Sequence, residues 1–405
     1  SGTVDYITNI TEEDIAVVDA DPNLTVVPLP APNILYIAMT NRLDPFGETP
    51  GEATIFADLN VRKAIALGID RQRIVDNFYP SGSEVASHFT PCGIPGGCEG
   101  ESWYDFDLEA AQAMLADAGY PDGFKTAIYY RDVYRDYLPR PGDVAVELQT
   151  QLKDNLNIDA DVIVMESGEF IDESTNGRLD GIYLLGWTGD YPHPTNFLDF
   201  HFSEYNPQFG DPIAAVYEPL KAASSIAVVE ETLPYYEEAN NALKANVPMV
   251  PVVHSTAAYA AKASLDGVNN PPFGAPILRL IDSGSDTLVF MQNAEPISLY
   301  CADETDGESL APCQQVVEAL YRYNTDGAAE PALAKECVAN DDLTVWTCSL
   351  REGVMFHDGS MFDANDVVAS FGAGIDASNP YHVGNTGAWE YYSYLWDGLM
   401  NVPEE

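Results

Sequence analysis

Positive charge is what this chain has least of: 18 Lys and Arg stand against 64 Asp and Glu in 405 residues, a formal net charge of −46. So large an excess of carboxylate repels phosphate backbones and anionic lipid heads, which argues against nucleic acid and against polybasic docking to a membrane. It suits a protein exposed to an ion-rich exterior, and it gathers cations near any cleft, favouring ligands with a positive group. Long apolar runs are lacking too. No stretch is long enough to cross a bilayer, and no signal peptide is recognisable. Nucleophile elbows of the G-x-S-x-G kind, P-loops and Rossmann glycine fingerprints are absent. No C-x₂-C spacing occurs and the six histidines are scattered, which disfavours a zinc site.

What is present reads as globular. A hydrophobic fraction of 46% with 23 Tyr gives ample core, and the length predicts about two or three domains. The six cysteines fall into three close pairs. Local pairing predicts the disulfides Cys92–Cys98, Cys301–Cys313 and Cys337–Cys348 and an oxidising compartment; six cysteines allow about 15 pairings, and proximity selects this one.

Strand and helix signals alternate along the chain. Asn33–Met39 reads as a buried strand. Asn60–Tyr79 reads as one helix, with Val61, Ala64, Ile65, Ile69, Ile74 and Phe78 at helical spacing. A second helix spans Asp107–Ala118, capped by Asp105 or Asp107, and stops where Gly119 takes a left-handed conformation before Pro121. Strand Thr126–Tyr130, a helix from Asp143 to Leu156 and strand Ala160–Glu166 follow, then helices over Ile213–Ala227 and Leu233–Asn246 and a strand Val247–His254. This β-α-β order predicts an α/β unit with a partly parallel sheet.

The segment Gly186-Trp187-Thr188-Gly189-Asp190-Tyr191-Pro192-His193-Pro194-Thr195-Asn196-Phe197 ends the strand-like run Gly181–Leu185 with an aromatic residue, a glycine and one carboxylate. Two prolines then forbid helix and hold the loop open. It resembles the GW-x-x-D-x-x-x-P-x-NF signature of the dipeptide- and oligopeptide-binding proteins that feed ABC importers, solute-binding family 5. Val61–Arg71 and Ala118–Phe124 resemble the same family's V-R-x-A helix and A-G-Y-P-D-G-F stop. Residues 1–280 are thus similar to the second half of such a protein. Residues 286–405, through Glu295–Leu299, Glu330–Ala334, Leu350–Gly359 and Asp363–Ser370, resemble the start of its first lobe. Asp282-Ser283-Gly284-Ser285 reads as a polar joint at 281–285, expected to be exposed with few contacts crossing it. The middle segment, with its G-T-G-P-Y phrase, is absent, so the chain is either permuted or truncated, or carries an extra partial copy. Ser1–Tyr6 resembles an interior phrase, and sequence upstream of it is expected.

The resemblance implies an α/β, two-lobe periplasmic-binding-protein-like fold (type II, peptide-binding cluster) with mixed sheets and a hinge. It implies an extracytoplasmic protein, periplasmic, lipoprotein or secreted, that is not an enzyme and needs no cofactor. Its partners would be a short peptide or similar small solute and the membrane subunits of an ABC transporter. In the family the motif's Asp grips a peptide α-amino group, and an Arg in an R-x-Y-x-P phrase pairs with the ligand carboxylate. Those places fall on Asp190 and Arg135. Trp187, Tyr183 and Tyr137 are expected to supply stacking surface between them. An internal Asp–Arg pair or two solvated charges is the plainer alternative.

Three other readings stand beside this one. An incomplete lobe would leave apolar surface for a neighbour to cover, which fits a structural surface protein that self-associates into a lattice or filament. The cluster Tyr391, Tyr392, Tyr394, Leu395, Trp396 and Leu399 is expected to find its cover in the first part of the chain. Asp282-Ser283-Gly284-Ser285 imitates an aspartic-protease loop, but the comparable phrase at Asn385-Thr386-Gly387 carries an amide that cannot ionise. His193 and His201 are a candidate metal pair, with solvated loop histidines as the simpler alternative.

Overall fold

The computed structural model describes residues 3–401 except 9, 30–31, 43–53, 205, 293–294, 297, 305–306, 342, 385–386, 388, 390, 393–395 and 397–399. Two compact units divide the chain: one holds Ser1–Leu29 with Ala258–Glu405, the other Pro30–Ala257.

The first unit opens with β1 (Tyr6–Ile7), α1 (Glu12–Asp19) and β2 (Leu24–Leu29). Thr11 and Asp14 form a reciprocal capping box at the start of α1, satisfying backbone donors that would otherwise be left open. The chain then builds the second unit: β3 (Asn33–Met39), α2 (Leu59–Gly68), α3 (Arg71–Phe78), β4 (Glu84–Val85), α4 (Leu108–Asp117), β5 (Lys125–Arg131), α5 (Pro141–Leu156), β6 (Asp159–Met165), α6 (Ser167–Thr175), β7 (Ile182–Thr188), α7 (Leu198–Phe202), α8 (Ala214–Ala223), α9 (Val229–Asn246) and β8 (Met249–His254). It returns to the first unit with β9 (Ala257–Lys262), β10 (Phe290–Met291), α10 (Gly307–Val316), β11 (Tyr321–Tyr323), β12 (Ala329–Pro331), β13 (Ala334–Ala339), β14 (Trp346–Leu350) and α11 (Ala364–Ile375).

The second unit is a six-stranded mixed sheet in the order β4-β8-β3-β7-β5-β6. β5 runs parallel to both β6 and β7, while β3 lies antiparallel to β7 and to β8. All seven residues of β3 are buried, and Ile182–Leu185 and Met249–Val253 are buried with them. Central strands covered on both faces read as continuous apolar runs, which is why these three were legible as strands. Gly119 takes the left-handed conformation (φ +93°) that the stop after α4 requires, and Asp107 caps that helix by accepting from the Ala110 N–H.

The helix predicted over 60–79 is two helices. Ile69 is extended, and Asp70 caps α3 by accepting from the Arg73 N–H, so a cap interrupts an apolar period that runs on regardless. The two arginines of this stretch point inward. Arg62 donates to the carbonyls of Phe56, Ala57, Asn246 and Val247, and Arg71 to those of Ala86, Tyr104 and Pro251. Burial pushes each guanidinium down to about 10. Their carbonyl partners include the end of α9 and the middle of β8, groups that would otherwise be buried unpaired.

The first unit corrects the expected boundary at 280. Tyr6 pairs with Phe290 on one side and Ala261 on the other, and the Val289 N–H donates to Asp5. Residues 1–29 therefore share the sheet β10-β1-β9-β2 with residues beyond 285. The joint at 281–285 lies inside this unit, as a turn in which Asp282 and Asp266 exchange backbone bonds and the Asp282 carboxylate accepts from the Gly284 N–H. That carboxylate is exposed, a turn acid rather than half of a dyad. The rest of the unit includes two two-stranded ladders, β11–β12 and β13–β14. Cysteines pair as Cys92–Cys98, Cys301–Cys313 and Cys337–Cys348, the last across directly opposed positions of β13 and β14. Of the aromatic cluster after 390, Tyr394, Leu395 and Leu399 lie outside the described residues. Tyr392 packs against Phe371 and Trp389, and Trp396 stays exposed with one edge on Phe371. Asn385 and Thr386 also lie outside the described residues.

Ile37, fully buried in β3, tests this core. Ile37→Ala is expected to lower unfolding stability by about 2–5 kcal/mol, read as a shift of the urea midpoint at constant slope; an unshifted midpoint contradicts the packing described.

Candidate functional site

Because β5, β6 and β7 are parallel, their carboxyl ends share one edge of the sheet. The start of β3 and the end of β8 lie at the same edge, since Asn33 pairs with Thr188 and Leu35 with Val253. Beyond the carboxyl ends of parallel strands is where open α/β sheets place ligands. The strand ends here are clipped together by the Asn33 amide, which donates to the Ser255 carbonyl and accepts from the Ser255 N–H. His254 Nδ1 donates to the Asn33 carbonyl at 2.7 Å.

The loop after β7 is organised by Asn196, which is 1% exposed. Its Oδ1 accepts from the Asp190 N–H at 2.6 Å and from Trp187 Nε1 at 3.4 Å, and its Nδ2 donates to the Asp190 carboxylate at 3.4 Å. The Gly189 N–H donates to the Pro32 carbonyl. Asp190 is thereby held at the surface, with its carboxylate exposed. Trp187 is half-buried and stacks on Phe200, centroids 4.4 Å apart, with His201 against its face. The residues 132–139 form the neighbouring loop. Arg135 and Leu138 exchange backbone hydrogen bonds across its tip, Tyr79 Oη donates to the Tyr137 carbonyl, and Ser255 Oγ donates to the Asp136 carbonyl. Arg135 is exposed, and Nη1 donates to the Tyr134 carbonyl.

Two expected stacking residues are corrected. Tyr183 is fully buried and its hydroxyl donates to the Gln208 carbonyl. Tyr137 is 6% exposed and its ring lies against Gly186, where a Cβ would come within 2.3 Å of it and of the Ile34 carbonyl. The rings of both are packed in the core of this unit, so of the three only Trp187 offers ring surface for stacking. Gly186 is thus a packing glycine: it lets β3 and the Tyr137 loop close on β7.

The histidine pair does not assemble a metal site. His201 is buried with Nδ1 on the Phe197 carbonyl, and His193 Nδ1 pairs with Thr195. A ring nitrogen of His88 and the sulfurs of Cys92 and Cys98 lie within 4.8 Å of one another, but those sulfurs are joined as a disulfide. A small pocket lined by His201, Phe209, Asp211, Val216 and Pro248 lies beside the Asn41–Gly210 bridge, at the other end of β3.

Residues that sequence reasoning passed over are Asn196, Asn33 and Arg131. The first was only a letter of the motif; a polar residue in an otherwise apolar strand was the available signal for the second. Arg131, half-buried at the end of β5, donates from Nη1 to Ser167 Oγ at 3.0 Å and from Nη2 to Tyr137 Oη at 3.5 Å.

Burial displaces two titrating groups of α7 in opposite directions on the pH axis. It pushes His201 down to about 4 and Asp199 up to about 7. Between the unfolded and folded values the unfolded state holds more protons on the His, so its contribution is lost as pH falls from about 6.5 to about 4. For Asp199 the folded state holds more protons, and stability rises as pH falls from about 7 towards about 4. Comparing urea unfolding at pH 5 and 7, Asp199→Asn should steepen acid destabilisation and His201→Gln should flatten it. Unchanged slopes in both variants contradict the burial described. Asn196→Ala, which strands the Asp190 N–H and Trp187 Nε1, is expected to cost about 1–3 kcal/mol in the same assay.

The family model for bacterial extracellular solute-binding proteins, family 5 (middle), matches residues 1–209 and 328–392. Heme-binding protein A of Haemophilus influenzae is 26% identical over 284 residues, 68% of this chain and 49% of that protein. A dipeptide-binding protein of Pseudomonas aeruginosa is 28% identical over 267 residues, 64% of this chain and 47% of its own length. The crystal structure of a dipeptide-binding protein from Pseudoalteromonas in complex with Met-Leu superposes with a TM-score of 0.58 at 25% identity, covering 68% of this chain and 53% of that one. The chain spans about half the length of the curated relatives it matches. With more than half of its residues on the family model and the same α/β fold, the chain belongs to the bacterial extracellular solute-binding proteins of family 5.

Proposed function

We propose that the chain serves an extracytoplasmic solute-binding protein that captures short peptides for an ABC importer. Asp190 takes the ligand α-amino group, Arg135 the terminal carboxylate, and Trp187 the surface between. The observation that carries this reading is the construction around Asp190: a buried amide fixes its backbone while the carboxylate remains exposed at the carboxyl edge of the parallel strands. A carboxylate fixed in position at the surface is the group that recognises an ammonium by a charge-assisted hydrogen bond. The net charge of −46 favours the same end of a peptide. The separate family match over 328–392 supports reading that stretch as a piece of the same family, and we take residues 286–405 as the start of its first lobe.

One observation favours a second reading, an assembling surface protein. Within the first unit Val338, Trp346, Met355, Met361 and Val368 are each more than half exposed, apolar surface of the kind that contacts cover. A sedimentation measurement separates the two: the receptor is expected to be monomeric, the assembling protein a concentration-dependent polymer.

Calorimetry tests the peptide reading. Asp190→Ala and Arg135→Ala should each weaken dipeptide binding by about 2–5 kcal/mol, as loss of one member of a desolvated charged contact does, with the urea midpoint unchanged. Wild-type affinity in both variants rejects the assignment.

A further inference from the structure

Arg131 differs from the other arginines whose contacts are described in the second unit. Arg62 and Arg71 are filled by backbone carbonyls. Arg73, Arg140 and Arg178 pair with carboxylates. Arg131 is half-buried at the carboxyl end of β5 and, among the described residues, takes part in no ion pair and donates to two hydroxyls, Ser167 Oγ and Tyr137 Oη. A guanidinium has five N–H donors, so two hydroxyl contacts leave donors open. Each hydroxyl that accepts from the guanidinium also keeps a proton of its own to donate. Glu166, the acid that follows Met165 opposite Arg131, caps α6 by accepting from the Glu169 N–H. Tyr137 is fixed by its ring against Gly186 and its carbonyl on Tyr79, and Ser167 opens α6. The three groups therefore converge from β5, the loop after it and a helix start, with the cation in the middle and hydroxyl protons beside it.

We infer that Arg131, Ser167 and Tyr137 form an anion subsite for a carboxylate carried on a side chain of the ligand. This rests on the peptide reading above: with the terminal carboxylate on Arg135, a second carboxylate of a short peptide is that of Asp or Glu. The subsite makes the protein selective for peptides with an acidic residue. The chain's overall negative charge does not forbid this, because salt screens it beyond about 8–10 Å while a half-buried guanidinium in contact is screened little. Planar bidentate pairing with carboxylate is the geometry that arginine supplies and lysine does not.

The test compares Ala-Glu with Ala-Gln, of near-identical shape, by calorimetry on the full chain. The wild type is expected to bind Ala-Glu about 10-fold tighter or more, as befits a charge-assisted hydrogen bond. In Arg131→Gln the preference should vanish while Ala-Gln affinity is retained, and Arg131→Lys should restore part of it. Equal affinities in the wild type, a preference that survives Arg131→Gln, or equal loss of both peptides in that variant each overturns the inference. A second arm needs no peptide. The Arg131 Nε–H resonance, assigned by its absence in Arg131→Gln, should shift saturably with glutarate. A response to glutarate with neither peptide bound rejects the peptide reading and keeps the anion subsite; no response overturns the subsite whatever the peptides do.

Discussion

Where β7 stops decides what the candidate site is. The strand is locked on one side to β3 over seven residues, Asn33–Met39 against Thr188–Ile182, and on the other to β5. Gly186 permits this closeness, because a side chain there would drive Tyr137 and the Ile34 carbonyl away. Immediately past Thr188 the pairing ends, Gly189 bonds to Pro32, and Asn196 turns back to hold Asp190. One buried amide thus converts the rigidity of a central strand into a fixed surface carboxylate. Preorganisation of this kind spares a ligand the entropy of ordering the loop on arrival.

The scarcity of basic residues gives each one more weight. Arg62 and Arg71 are spent inside, tying α2 and α3 to carbonyls of α9 and β8. Arg178 and Lys244 pair with surface acids, contacts worth little individually in water, and Arg73 with the largely covered Glu147. Arg131 and Arg135 sit instead at the end of β5 and in the loop after it, on the edge that carries Asp190 at the end of β7. A carboxylate and two guanidiniums at one sheet edge complement a ligand with one ammonium and two carboxylate groups, which is the pattern of the acidic peptide proposed above.

Much of the second unit was legible because its buried strands are continuous apolar runs and its helix ends carry Asp caps and glycine stops at Asp107 and Gly119. The break at Ile69-Asp70 was hidden, since the apolar period continues through a cap that only local hydrogen bonding reveals. The short strands Tyr6–Ile7 and Phe290–Met291 carry too few residues for any period to register, yet their pairing reassigns the first 29 residues. At the site, residue types were readable and burial was not. Asp190 and Arg135 are exposed and Trp187 is half-buried, whereas Tyr183 and Tyr137 are consumed by packing, because whether an aromatic faces core or solvent depends on neighbours far away in sequence. Asn196 and Arg131 gain their meaning only from partners six and thirty-six residues away.

Recognition of both charged ends of a short peptide is the property proposed for this sheet edge. Equilibrium binding of Met-Leu should be compared with that of its N-acetylated and C-amidated forms on the same protein. Blocking either terminus is expected to weaken binding by about tenfold or more, consistent with loss of one charge-assisted contact. Blocked and free peptides binding equally well would contradict the assignment of Asp190 and Arg135, and with it the view of this sheet edge as a zwitterion site.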